Sequence, residues 1–227
     1  MSWAGSYRAT PTVTKSASNS STTVVVTKAA GVASGDLILL PVCFSINATG
    51  DVVSCPGFTA GTQAHDTNVV MGYQLLYRVA DGTEGSTFTV TKSDGGAGIA
   101  VGQIVLVNST LDTSSQTTDG AASSSSAALP SVTVAGSGEL LLWVAAGLND
   151  STFNGLAPSV PGTVSLQVST SVGAHVIPDM TIGDNQSVAS GATGTLSGSF
   201  SHSSYWSGGQ IAVISVAAAK AGLLMMT

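Results

Sequence analysis

Gly35-Asp36-Leu37-Ile38-Leu39-Leu40 and Gly138-Glu139-Leu140-Leu141-Leu142-Trp143 carry one pattern: a glycine and an acid, then an unbroken apolar run. An apolar run of this length between turn residues has the dimensions of a buried strand. The surroundings repeat as well. Pro56-Gly57-Phe58-Thr59 answers to Pro161-Gly162-Thr163-Val164, and Gly102-Gln103-Ile104-Val105-Leu106-Val107 answers to Gly209-Gln210-Ile211-Ala212-Val213-Ile214. The order is kept, and the offset drifts from 103 through 105 to 107 residues, as loop changes would make it. A duplicated strand set follows. In each half an acidic turn feeds a buried strand, a Pro-Gly turn comes next, and a Gly-Gln-led strand closes the unit.

Outward from these blocks, strand signals dominate and no segment sustains the apolar spacing of an amphipathic helix. Strands are predicted over Thr22–Lys28, Asp36–Phe44, Val69–Val79, Ser86–Thr91 and Ile99–Val107 in the first half. The second half gives Ser131–Ala135, Glu139–Ala146, Thr163–Thr170, Ala174–Ile182, Ala192–Ser199 and Gly209–Ala217. Pro41 within Asp36–Phe44 predicts a bulge or an exposed edge there, because proline cannot donate to a ladder. The fold class is all-β: an antiparallel β-sandwich, jelly-roll-like, built from two pseudo-repeated strand sets with short terminal arms. The expected organisation is an N-terminal arm over 1–20, the first half over 21–109, a Ser/Thr-rich crossover over 110–130, the second half over 131–218 and an apolar C-terminal arm over 219–227. The crossover is read as a linker because it has no large apolar residue between Leu111 and Leu129 to anchor it.

Composition narrows the function. Charged residues make up 8% of 227, against about 25% in an average globular protein, and Ser and Thr supply the polar surface instead. Six Lys and Arg cannot build the basic footprint of a nucleic-acid binder, and a net charge of −6 does not suit an anionic membrane. The N-terminus lacks a basic region followed by an apolar one, so no signal peptide is expected. Cys43 and Cys55 have no CxxC or histidine spacing for zinc; they form either a short-loop disulfide across a turn or two buried thiols.

Enzymatic chemistry is not indicated. There is no Gly-x-Ser-x-Gly, and His65, His175 and His202 are scattered. The acids sit mainly beside Gly, Ser, Thr or Asn, which is turn chemistry. Asp81–Glu84 and Asp179–Asp184 place acids in loops without a calcium-binding spacing, so no metal or cofactor is expected. Arg78 is expected to pair with Asp81 or Glu84. Tyr205 and Trp206, in a Gly/Ser-rich loop, are the candidate glycan contacts. Trp3 and Tyr7 in the N-terminal arm, with Leu223, Leu224, Met225 and Met226 in the C-terminal arm, are the candidate partner contacts.

The blocks Gly35–Leu40, Pro56–Thr59, Leu75–Glu84 (LLYRVADGTE) and Ser86–Thr91 resemble a family of β-sandwich modules found in tailed-phage virion proteins. Gly138–Leu142, Ser190–Thr195 and Tyr205-Trp206 followed by Ile211–Val216 continue the likeness over roughly residues 20–218. The resemblance implies a bacteriophage virion structural protein. A capsid decoration or stabilising role on the head is the leading expectation, and a tail or head-fibre module that binds host surface glycans is the alternative. It also implies assembly in a host cytoplasm, contact with a major capsid protein or other virion proteins, and a homo-oligomer, with a trimer matching lattice three-folds.

Overall fold

The computed structural model describes residues 3–18, 21–46, 50–65, 70–93, 98–136, 138–148, 153–157, 164–169 and 177–216. They form an all-β molecule. The strands of the first half are β1 (Ser6–Tyr7), β2 (Thr12–Lys15), β3 (Thr23–Thr27), β4 (Leu37–Ser45), β5 (Val53–Ser54), β6 (Thr59–His65), β7 (Met71–Val79), β8 (Thr87–Lys92) and β9 (Ile99–Val107). Those of the second are β10 (Ser109–Leu129), β11 (Thr133–Val134), β12 (Glu139–Gly147), β13 (Phe153–Ala157), β14 (Val164–Ser169), β15 (Asp179–Val188), β16 (Gly191–Ala192) and β17 (Leu196–Ser215).

Two large antiparallel sheets dominate. One has the order β1-β9-β4-β7-β6, with β2 also on β9; the other has β10-β17-β12-β15-β14, with β13 on β17. Two smaller sheets, β3-β8-β5 and β11-β16, complete the set. The duplication is visible in the ladders. Leu37 faces Leu106 and Leu39 faces Ile104 in the first large sheet. Leu140 faces Val213 and Leu142 faces Ile211 in the second. These are the same positions at the offsets found in the sequence.

The register extends the repeat past the sequence matches. Tyr7 pairs with Leu106 and Thr12 with Gln103, while Leu111 pairs with Val213 and Thr117 with Gln210. The edge strands β1 and β2 therefore correspond to the first part of β10. Val26 pairs with Phe88 as Leu129 pairs with Leu196, so β3 corresponds to the end of β10 and β8 to the start of β17. The arm and the crossover are thus the opening strands of the two repeats. The expected linker is a 21-residue strand, held by backbone bonds to β17 that need no apolar pattern. Likewise residues 196–199 of one expected strand and 209–215 of another are parts of the single strand β17, while Ala192 belongs to β16. Asn108, between β9 and β10, passes the chain from one repeat to the next with φ of 52°. Its carbonyl accepts from the Val216 N–H at 2.7 Å.

Pro41 is neither at a bulge nor at an edge. It lies buried in the middle of β4, opposite Leu75 of β7, with an unshifted register. On the β9 side, the pairs stop at Leu39–Ile104 and resume at Val42–Val101. The missing N–H falls in that gap. Gly102, opposite in register, makes room for the ring; a Cβ there would approach it to 2.9 Å.

The molecule is a stack of four layers. The facing sides of the large sheets share one core, with Leu37, Leu39, Tyr73 and Ile104 from the first and Leu140, Leu142, Ile182 and Ile211 from the second. The outer face of the first large sheet packs Ile38, Leu40, Val42 and Phe44 against Val24, Val26, Phe88 and Val90 of the small sheet. The outer face of the second packs Leu141, Trp143 and Ala145 against Ala127, Leu129, Val134 and Leu196. Each large sheet is covered on both sides, which is why every residue of β4 and of β12 is buried and why both read as continuous apolar runs.

Candidate functional site

The candidate contact aromatics are built into this stack. Trp3 is 6% exposed, sits in the core between the large sheets, and donates its backbone N–H to the Gln186 carbonyl at 2.8 Å. Tyr7 meets it edge-on, ring centres 5.7 Å apart, and donates its hydroxyl to Asp184 Oδ2 at 2.6 Å. Burial, reinforced by that bond, raises the Tyr7 pKa far above the ordinary tyrosine range. The N-terminal segment is therefore docked on its own chain. Trp206 lies in β17, not in a loop, is 2% exposed and packs near Phe200 in the outer core of the second repeat. Tyr205 lies partly buried against the inner core. Leu223, Leu224, Met225 and Met226 lie outside the described residues, as does His175.

Cys43 and Cys55 are free thiols. They face opposite sides of the first large sheet, Cys43 in the inner core and Cys55 in the outer one, so no disulfide can join them without moving the sheet. Burial raises both pKa values, that of Cys55 to about 11. Arg78 does pair as expected, with Glu84 at 2.9 Å and Asp81 at 3.1 Å. Those acids also cap their own turn, Glu84 accepting from the Asp81 and Gly82 N–H groups and Asp81 from Thr83. Asp179 and Asp184 lie on strand β15 rather than in a loop. Among the described residues no group of three metal-ligating side chains exists. Ser201 and His202 touch at 3.1 Å as exposed chain neighbours.

The repeated motifs have repeated duties. Gly35 and Gly138 turn the chain with φ of 89° and 87°, a region open to glycine. Asp36 Oδ2 then accepts from the Ala33 N–H at 2.9 Å, and Glu139 Oε1 from the Gly136 N–H at 2.7 Å. Each acid closes the turn that launches a central strand. The glutamines tie the large sheets to the outer layers. Gln103 accepts from the Ala29 N–H at 2.6 Å and donates to the Thr27 carbonyl at 2.9 Å. Gln210 donates to the Leu129, Pro130 and Gly194 carbonyls and accepts from Thr193. A side-chain amide has the same donor and acceptor as a peptide group, so it serves as a strand partner across the layers.

Ion pairs bind strands and layers too. Arg8 grips Asp36 in a fork with contacts of 2.7 and 2.8 Å. Burial opposes ionisation of Asp36, but the Arg8 fork and the Ala33 N–H outweigh it and hold the carboxyl below its ordinary range. Lys15 of the first large sheet pairs with Asp179 of the second. Lys92, buried in β8, pairs with Asp51 at 3.2 Å and donates to the Ser45 carbonyl. Beside these lies a groove of about 410 Å³ between β2 and β3, lined by Thr10, Thr12, Thr14, Val25, Lys28 and Gln103 among others. Its walls are mostly threonine and alanine, and Lys15 and Lys28 flank the two sheet edges, a device against edge pairing.

One feature of charge escaped the motif reading. Residues 93–219 contain no Lys or Arg, so the second repeat carries acids without a cation of its own. A count of charges by half would have exposed it. No protein-family model matches the chain, and no curated protein or solved structure matches it either.

Proposed function

We propose that this chain is a structural protein of a tailed-phage virion that decorates and stabilises the capsid surface. The observation that supports this reading is the doubled use of the unit in which a glycine and an acid precede an apolar strand. The blocks that resemble the virion modules are turn closures and central strands of a rigid stack. Such a protein acts mechanically. A stiff body repeated by symmetry makes many modest contacts, and their avidity resists pressure from within. The neighbours are a major capsid protein, other virion proteins and further copies of this chain, with 223–226 as the candidate anchor. The glycan-binding alternative loses its aromatic platform, since Trp206 is buried.

Cryo-microscopy of particles assembled with and without this chain tests the reading. Density missing from the outer capsid shell is the expected result, and a difference confined to the tail tip overturns it. Deleting 221–227 is expected to abolish incorporation while leaving the melting temperature unchanged. Normal incorporation would remove the C-terminal anchor from the scheme.

A further inference from the structure

We propose that Lys15 and Asp179 join covalently, the Lys15 Nζ and the Asp179 carboxyl carbon forming an amide that cross-links the two large sheets. Lys15 ends β2 at the edge of the first large sheet, opposite Ala100 of β9. Asp179 opens β15 in the second, opposite Gly147 of β12. The two side chains meet between the sheets and are 12% and 4% exposed. Their surroundings are apolar. Gly98, just before β9, packs on Ile177, and a Cβ on Gly102 would come within 2.6 Å of Ile182 and 3.2 Å of the Met180 sulfur. Ala100 and Met180 are themselves fully buried.

Two other ion pairs differ from this one. Arg8 binds both oxygens of Asp36, and the Ala33 N–H adds a third bond. Lys92 divides its protons between Asp51 and the Ser45 carbonyl. Asp179 meets Lys15 through Oδ1 alone, and its Oδ2 is buried with no hydrogen-bond partner. A carboxylate oxygen left bare out of water is costly, and an amide oxygen in its place costs less. A lysine amine held beside a carboxyl carbon is also a nucleophile. The step balances within the pair. One proton passes from the Lys15 ammonium to the carboxylate. The neutral Nζ then attacks Cγ and forms the C–N bond. The Cγ–Oδ1 bond breaks, and Oδ1 leaves as water with that proton and a second one from Nζ. Oδ2 stays as the amide oxygen, and Nζ keeps one N–H. Well-oriented groups within one molecule reach effective concentrations of roughly 10⁵–10⁸ M, enough to drive a condensation that water opposes between separate molecules.

The test is mass spectrometry of the full chain under denaturing conditions, with its Lys15→Arg and Asp179→Ala variants beside it. The wild type is expected to weigh one water less than its sequence, and both variants to show their full sequence mass. Trypsin is expected to leave Lys15 uncut in the wild type. It should release residues 9–28 joined to residues 93–220, because no Lys or Arg interrupts 93–219. A wild-type mass equal to that of its sequence, with Lys15 cleaved, overturns the proposal and leaves an ion pair. A water deficit that persists in either variant also overturns it, since the loss then lies elsewhere, as in a succinimide at Asp81-Gly82. The wild-type digest locates the bond directly, so it decides even where neither variant folds.

Discussion

At the scale of single residues, the two repeats meet the same packing requirement by different chemistry. Val53 stands opposite Lys92 in the first repeat, and Phe153 opposite Phe200 in the second, so Lys92 and Phe200 occupy one position. Phe44 and Gly147 likewise share a position, opposite Ile99 and Trp206. In the second repeat Gly147 leaves room for Phe200; a Cβ there would come within 3.0 Å of its ring. In the first repeat Phe44 fills that space, and Lys92 reaches Asp51 and the Ser45 carbonyl. A buried ion pair is weak evidence for stability, because desolvation offsets most of the attraction, but removing one partner strands the other. Lys92→Met is therefore expected to cost about 3–5 kcal/mol in urea unfolding, whereas Lys92→Met with Asp51→Leu is expected to return to within about 1 kcal/mol of the wild type. Equal losses in the single and double variants would show that the pair is not the controlling interaction.

At the scale of elements, legibility followed side-chain pattern. β4, β7, β9 and β12 were readable because their two covered faces demand apolar residues in succession. β8 was readable because its pattern alternates, with buried and exposed positions in turn. β1, β2 and β10 were not. Their place is set by backbone pairing to β9 and β17, and a sequence such as Thr113–Ser126 shows no apolar face because pairing alone needs none. Tyr205-Trp206 looked like a loop for the same reason, with serines and glycines on either side within β17. The arm residues Trp3 and Tyr7 had no visible partner because Gln186 and Asp184 lie in the other repeat. Their docking makes a plain prediction. Trp3→Ala should cost about 3–5 kcal/mol, the usual range for truncating a buried tryptophan, and deleting 1–15 should uncover the inner core and the edge of β9. Circular dichroism melts would show both losses; an unchanged melting temperature after the deletion would mean the segment is a free arm after all.

At the scale of the molecule, the low charge noted at the outset has a structural cause. Four layers with two sheets covered on both faces leave few positions where a solvated charge can stand. Several of the charges present are fasteners: Arg8–Asp36 joins the end of β1 to the start of β4 within one sheet, Lys15–Asp179 joins one large sheet to the other, and Lys92–Asp51 sits in the outer layer. The inner core belongs to neither repeat alone, since Leu37, Leu39, Tyr73 and Ile104 have Leu140, Leu142, Ile182 and Ile211 as neighbours across it. Separating the repeats would expose both apolar faces at once, at about 25 cal/mol per Å², so the duplicated halves should unfold together despite their matching architecture. Differential scanning calorimetry is expected to give one peak whose calorimetric and van't Hoff enthalpies agree. Leu142→Ala, at a fully buried position of this shared core, should cost about 2–5 kcal/mol. With about 2–4 °C lost per kcal/mol in a chain of this size, the whole peak should move down without splitting. Two resolved transitions, one of them left at the wild-type temperature, would show that the repeats are independent domains and that the shared core does not couple them.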